Sequence, residues 1–373
     1  MYERAEARID LGALRHNCGE LRRRIGPAVE LCPVLKADGY GHGAAHCAAA
    51  ALGAGADRIA VATASEALQI RAVDSGVPIL VLGALAPGEV EIAVAAGADV
   101  SVWDRDFAAA VEGRARAAGL VVGVHVKYDT GMGRLGNPDP EAVFDIARSV
   151  AESPHLSLEA VWTHFATADD ADRGYMELQR ERLAGLADRV RSAYPGVKVH
   201  AANSAALVSD PATHFDLVRP GVAVYGMDPF GRDPAEHELR PVFSLHSYVA
   251  TVKRFEPGMS AGYGRTWSAS RETNVVAVPV GYGDGVRRAL SNRGEVLING
   301  RRHPIAGTVS MDNITVEVGD APVSIGDEVT LVGRQGEEAI TAEQVAATLE
   351  TINYEVTCGI SPRVPRRASR EST

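Results

Sequence analysis

Long apolar runs are missing from this chain. No stretch reaches the roughly 20 residues that a membrane helix needs, and the best candidate, AAHCAAAALGAGA (44–56), is short and rich in small residues. A surplus of basic residues is missing too. The formal net charge is −10, with no basic run and no aromatic motif of the RNA-binding type, so neither nucleic acid nor an anionic membrane is expected as a partner. Aromatics make up only 5% of the 373 residues, which leaves core packing to small side chains at close approach. The four cysteines, Cys18, Cys32, Cys47 and Cys358, show no CxxC or paired spacing, so reduced thiols are expected rather than a disulfide framework. The opening MYERAEARIDL is charged and lacks the apolar centre of a signal peptide. The expected location is the cytoplasm.

Hydrophobic residues are plentiful, at 46%, and they are patterned. Leu11, Leu14, Leu21 and Ile25 recur at helical spacing behind Asp10, which is placed to cap a helix. Short apolar strand patterns then alternate with helical ones: VELCPVL, RIAVAT, PILVL, DVSVW, VVGVHVK, LSLEAVWT, VKVHA and FDLVRPG. Eight such units imply parallel strands with crossover helices. Their number and length fit a closed (β/α)8 barrel of the TIM type better than an open doubly wound sheet. The polar, proline-bearing segment FGRDPAEHELRP reads as a linker, and beyond it strands such as NVVAVPVGYG and DEVTLVG dominate, with one helix at TAEQVAATLE. The expected division is a barrel domain over 1–230 and a mostly β domain over 231–373, with the first ten or so residues packing on the β domain. The terminal VPRRASREST reads as a frayed tail.

In a barrel of this kind chemistry sits at the C-terminal ends of the strands. Lys36, Lys127, Arg134, His164, His200 and Arg219 all fall at or just beyond such ends. Six cationic or potentially cationic side chains at one mouth of an acidic protein imply an anionic ligand. The loops after the last two strands hold Ser204 and Gly221, a hydroxyl and a glycine suited to a phosphate. A lysine at a strand end beside other cations is suited to Schiff-base formation. Lysine and phosphate cradle together point to pyridoxal 5′-phosphate, or else to a Schiff-base aldolase. His42 and His46 stand four apart without a third ligand, so no metal is expected, and neither GYGHG nor GYGDG fits a dinucleotide fingerprint.

The motifs PVLKADGYGHG, VKYDTGMGRLG, WTHFATAD, ANSAAL, RPGVAVYG, SAGYGRTW, VGYGDG, GTVSMDN and INYEVTCGISPRVPR together resemble the successive signatures of the alanine racemases. The resemblance covers nearly the whole chain. It implies a pyridoxal 5′-phosphate enzyme built as a homodimer, each active site drawing on both subunits, that interconverts L- and D-alanine and supplies D-alanine for peptidoglycan. It implies Lys36 as the Schiff-base lysine and one catalytic base, with Tyr263 of the other subunit as the opposing base. Tyr40, Ser204, Gly221, Val222 and Tyr354 would hold the phosphate. Arg219 would face the pyridine nitrogen, steadied by His164 and His200. Arg134 and the Met311 backbone N–H would receive the substrate carboxylate, and Tyr282 and Asp312 would line the pocket. Lys127 matches a position that is carbamylated in some members. Thr308 departs from the arginine often found near the entrance in this family. A serine or broad-specificity racemase on the same scaffold is the main alternative. A non-catalytic cofactor-binding barrel is the other, and the β domain speaks against it.

Overall fold

The computed structural model describes residues 3–369. The chain divides into two compact units: Arg15–Val224 forms one, and the residues up to Leu14 together with those from Tyr225 onward form the other. Each is described separately.

The first unit is built on eight parallel strands, β2 (Glu30–Leu31), β3 (Ile59–Val61), β4 (Ile79–Val81), β5 (Asp99–Val102), β6 (Val122–Lys127), β7 (Leu156–Trp162), β8 (Lys198–His200) and β9 (Leu217–Val218). They hydrogen-bond in the order β2-β9-β8-β7-β6-β5-β4-β3. Residues 33–35 close the ring: Val34 bridges Ala60 in parallel, with Leu35 N–H donating to Ala60 O at 2.8 Å and Ala60 N–H to Pro33 O at 2.9 Å. All eight apolar runs of the sequence therefore became strands, shorter than their patterns because both flanks are turns. Most of their residues are buried, on both faces, as a parallel sheet under helices requires.

The helices follow the capping signals. Asp10 Oδ1 accepts from Ala13 N–H at 3.0 Å at the start of Leu11–Ile25. Thr63 and Glu66 form a capping box on Ala64–Val73, and Asp104 caps Arg105–Ala118. The alanine-rich stretch at 44 is a helix, Ala44–Gly53, laid against the barrel.

The second unit is mostly strand. One sheet runs, in order, Arg301–Pro304, Glu295–Ile298, Glu328–Gln335, β10 (Phe243–Tyr248), β1 (Glu6–Asp10) and Arg366–Ser369, with Glu338–Ile340 added on Glu328–Gln335. Thr251–Phe255, Thr273–Val278 and Ile314–Gly319 make a three-stranded sheet. Three expectations change here. The C-terminal segment is not frayed through its length: Arg366–Ser369 pairs in parallel with β1, Ala7 opposite Arg366, while its last four residues lie outside the described ones. FGRDPAEHELRP is not a loose linker. The fully buried Asp228 carboxylate gathers it, accepting from Phe230 N–H at 2.8 Å and Arg232 N–H at 3.1 Å and pairing with His237 Nδ1 at 2.6 Å. A second short helix, Asn353–Cys358, follows Ala342–Leu349.

Gly226 shows how tightly that region is packed. Its φ is +68°, and a Cβ there would lie 1.7 Å from the Arg240 carbonyl oxygen. Gly258 also has positive φ, +88°, but opens onto free space. Gly226→Ala is expected to cost about 2–4 kcal/mol, from strain plus overpacking, and Gly258→Ala only about 1 kcal/mol. Urea unfolding of the two variants side by side checks the difference.

Candidate active site

The stretch PVLKADGYGHG leaves the barrel wall through a turn that most residues avoid. Ala37, Asp38, Gly39, Tyr40 and Gly41 have φ of 52°, 52°, 64°, 54° and 83°, a left-handed turn five residues long. Each non-glycine residue in that region costs about 1–2 kcal/mol, so three of them need compensation. The turn closes its own hydrogen bonds: Gly39 N–H to Leu35 O at 3.0 Å, Gly41 N–H to Ala37 O and Gly43 N–H to Asp38 O, both at 2.9 Å. Glu66 Oε1 accepts from Ala37 N–H at 2.7 Å, and Asp38 Oδ1 from Ala44 N–H at 2.8 Å. The buried His42 ring places Nδ1 at 2.9 Å from Gly39 O and 3.0 Å from Tyr40 O. His42 is thus a brace for the turn. The result sets Lys36 at the strand end and sends Tyr40 back beneath it, the ammonium 5.9 Å from the ring centroid.

Tyr40 ends at Gly221. A Cβ on Gly221 would lie 2.3 Å from the Tyr40 hydroxyl, so this glycine is required for room rather than for φ. Ser204 Oγ accepts from Gly221 N–H at 2.9 Å and from Ala223 N–H at 3.2 Å. Tyr40, Ser204, Gly221 and the buried Val222 therefore share one corner of the barrel mouth, made of hydroxyls and backbone N–H groups.

Arg219 is 3% exposed. Its guanidinium donates to Thr163 O and Ala201 O, both at 2.9 Å, and to His200 Nδ1. A fourth contact reaches His164 Nδ1 at 3.4 Å. Burial lowers its pKa to about 10, which still leaves it charged at neutral pH. Burial, with Arg219 next, holds both His164 and His200 well below the usual histidine range; both are neutral. Lys127 is 2% exposed. Its ammonium makes no hydrogen bond or ion pair among the described residues and sits over the Trp162 ring, 4.2 Å from the centroid. Burial first, then Arg219 and Arg134, lowers its pKa to about 7. Arg134 is exposed and likewise has no hydrogen-bond or ion-pair partner among the described residues. The six cationic candidates of the sequence thus stand on one end of one barrel.

The remaining candidates lie on the second unit. Tyr263 is 73% exposed, Met311 52% and Tyr282 43%. Tyr263, Met311 and Asp312 line one open recess. Tyr263 O accepts from Thr308 Oγ1 at 2.8 Å, so Thr308 ties down the tyrosine loop. Tyr282 N–H donates to Ser310 O at 3.0 Å and Gly283 N–H to Met311 O at 2.9 Å, which locks the two loops together, while Met311 N–H donates to no described residue. Asp312 is held by Arg363 at 2.8 Å and Arg4 at 3.3 Å, and Arg363 is the main cause of its lowered pKa. Tyr354 is half-buried in the helix Asn353–Cys358.

Sequence reasoning missed Trp162 and His125. Trp162 is buried with Nε1 unpartnered among the described residues. It lies under Lys127, 4.7 Å from the Arg219 guanidinium carbon, and stacks on His200. Both residues sit on strands whose apolar pattern hid them. Alternation along β6 would have exposed His125 as sharing a face with Lys127.

Two family descriptions match the chain: the alanine racemase N-terminal domain over residues 9–229 and the alanine racemase C-terminal domain over residues 242–368. An alanine racemase of Symbiobacterium thermophilum is 44% identical over 362 residues, 96% of each chain. One from Geobacillus stearothermophilus is 41% identical over 96% of this chain and 92% of its own. The crystal structure of alanine racemase from Streptomyces lavendulae, a D-cycloserine producer, superposes with a TM-score of 0.94 at 36% identity, covering all of this chain and 98% of that one. That of Streptomyces coelicolor gives 0.92 at 39% identity, covering 98% of each. With a barrel and a β unit matched along their whole length, this chain belongs to the alanine racemases, a family of isomerases.

Proposed function

We propose that the protein interconverts L- and D-alanine with pyridoxal 5′-phosphate, using Lys36 of one subunit and Tyr263 of a second copy as opposing bases. The observation that carries the two-subunit reading is the exposure of Tyr263, 73% in the single chain, on a loop fixed by Thr308. A base that must hold a proton away from water cannot work half in solvent, so a second copy supplies the missing surroundings.

The barrel mouth fits the cofactor. The corner where Tyr40, Ser204 and Gly221 meet, shaped by a glycine whose Cβ would strike the Tyr40 hydroxyl, offers donors to a phosphate, and Tyr354 would add its hydroxyl. When bound, the cofactor supplies an electron sink that acidifies the substrate Cα–H. Lys36 would hold it covalently and carry the proton on one face, and Tyr263 on the other. Arg219 would face the ring nitrogen. An arginine is a donor only, so that nitrogen stays unprotonated and the electron sink is moderated. Arg134 and the Met311 N–H would bind the substrate carboxylate, and Tyr282 and Asp312 would bound the pocket. A D-alanine product fits a role in supplying peptidoglycan precursors within the cytoplasm.

Incubation with L-alanine in D₂O is expected to give loss of optical rotation together with deuterium at Cα. L-Serine and L-lysine in parallel rank the substrates, and a faster turnover of serine overturns the preference for alanine. Borohydride is expected to bleach the bound cofactor in the native protein, and Lys36→Ala to leave nothing to bleach.

Lys36→Ala and Tyr263→Phe proteins, each inactive, are expected to recover about a quarter of native activity when dissociated and mixed in equal amounts. Half of the random dimers are mixed, and each mixed dimer has one intact site out of two. No recovery despite exchange of subunits would count against the shared site.

Lys127 has its amine free above about pH 7. We infer that it takes up carbon dioxide: the Nζ lone pair bonds to the carbon, one proton leaves to solvent, and the carbamate formed faces Arg134. With ¹³C-bicarbonate, a carbamate resonance is expected to grow as pH rises through 7. It should be absent in Lys127→Ala.

A further inference from the structure

The contacts that hold Arg219 continue past His200. His200 Nε2 is 2.8 Å from His125 Nδ1. His125 Nε2 is 3.5 Å from Asp99 Oδ2, and the same oxygen accepts from Arg58. Arg58 lies 3.6 Å from Glu30, which pairs with Lys198. A line of polar side chains thus runs through the barrel interior. It starts beyond the end of β9, at Arg219, and finishes where β2, β5 and β8 begin, at Glu30, Asp99 and Lys198. His125 is 1% exposed and His200 not at all.

Chemistry fixes the direction of this line. A guanidinium only donates, so His200 Nδ1 must accept and carries no proton. The neutral His200 then has its proton on Nε2 and donates it to His125 Nδ1. By the same logic His125 is protonated on Nε2 alone, facing Asp99. Neither ring can be an imidazolium, and neither can change tautomer without setting N–H against N–H. The carboxylate at the far end is what favours this arrangement. Burial penalises its charge, yet His125 and Arg58 bring its pKa below the usual carboxylate range.

Space has been kept for it. A Cβ on Gly123 would lie 2.1 Å from Asp99 Oδ1 and 3.0 Å from Glu159 Cγ, although Gly123 is the second residue of β6 and glycine weakens a strand. Trp162 stacks on the His200 ring, centroids 5.3 Å apart at 18°, so the ring is fixed in its plane as well.

We propose that Asp99 and His125 are positioning residues that stabilise, from the far end of the line, the His200 tautomer that Arg219 requires, and so hold the direction in which Arg219 presents its N–H groups. The proposal rests on the reading of Arg219 as the partner of the cofactor ring. It adds a control point at the opposite end of the barrel, where β5 begins.

The first test is on the native holoenzyme labelled with ¹⁵N-histidine. Long-range proton–nitrogen spectra are expected to show Nε2–H and bare Nδ1 on both His125 and His200. A proton on Nδ1 of either overturns the proposal. The second test uses His125→Leu, with His125→Gln as the conservative variant, since its amide oxygen can accept from His200. The leucine variant is expected to lose about tenfold or more in kcat with KM nearly unchanged, and to shift the visible band of the bound cofactor. Glutamine should restore part of both. A folded His125→Leu protein with native kinetics and colour sinks the positioning role while leaving the racemase reading intact. So does a loss that follows melting temperature alone and is not relieved by glutamine. If the leucine variant does not fold, Gly123→Ala, which displaces the Asp99 carboxylate, is expected to let part of the His200 population carry its proton on Nδ1, with the Arg219 contact given up in that part because the guanidinium cannot accept. Unchanged tautomers there overturn the proposal.

Discussion

Positive charge crowded at one end of a closed barrel is the constraint on which this structure depends. Lys36, Lys127, Arg134 and Arg219 share a mouth with two histidines, and like charges so placed repel. The repulsion is relieved in several ways. Burial and cationic neighbours keep His164 and His200 neutral. Lys127 has a pKa of about 7 and rests on the face of Trp162. Arg219 spreads its charge over two backbone carbonyls and a histidine. What remains is a field that an anionic phosphate and a carboxylate would satisfy, at a mouth framed by parallel strands whose closure depends on Val34 and Ala60.

The same constraint explains why strain is tolerated at Lys36. A relaxed exit from the strand would run on into the following helix, and Tyr40 would not return to Gly221. The left-handed turn brings it back, and braces from His42, Glu66 and Asp38 offset part of the conformational cost. Strain of this kind persists only where the surroundings over-determine it. Here the barrel wall, the helix Ala64–Val73 and the turn's own hydrogen bonds all do so.

The second unit obeys a different logic. Its candidates Tyr263, Tyr282 and Met311 are exposed, and its precision lies in the loops beneath them. Thr308 holds Tyr263, and carbonyls of Ser310 and Met311 receive Tyr282 and Gly283. Such a surface is pre-shaped before any partner arrives, so association need not pay to order it. Arg4, near the chain start, reaches Asp284 and Asp312 at 2.5 Å and 3.3 Å, which ties the first residues to the loops that carry Tyr282 and Met311.

The sequence by itself determined the eight parallel strands, the change to a β-rich second half, and which cationic side chains gather at one end of the barrel. Those signals are local: apolar runs, caps, and motifs ten residues long. It did not determine that the chain's first and last described strands lie side by side, because that pairing spans more than 350 residues and leaves no periodic trace. Nor did it show that FGRDPAEHELRP is gathered around Asp228, since a polar proline-bearing segment reads as linker until a buried carboxylate is found just ahead of it. The left-handed φ values along DGYGHG emerged only with the fold. His125, Trp162 and Asp99 were hidden for a related reason. Each lies on or at the start of a strand, where the pattern reports burial, and only the closed barrel decides which buried polar atoms meet across its interior.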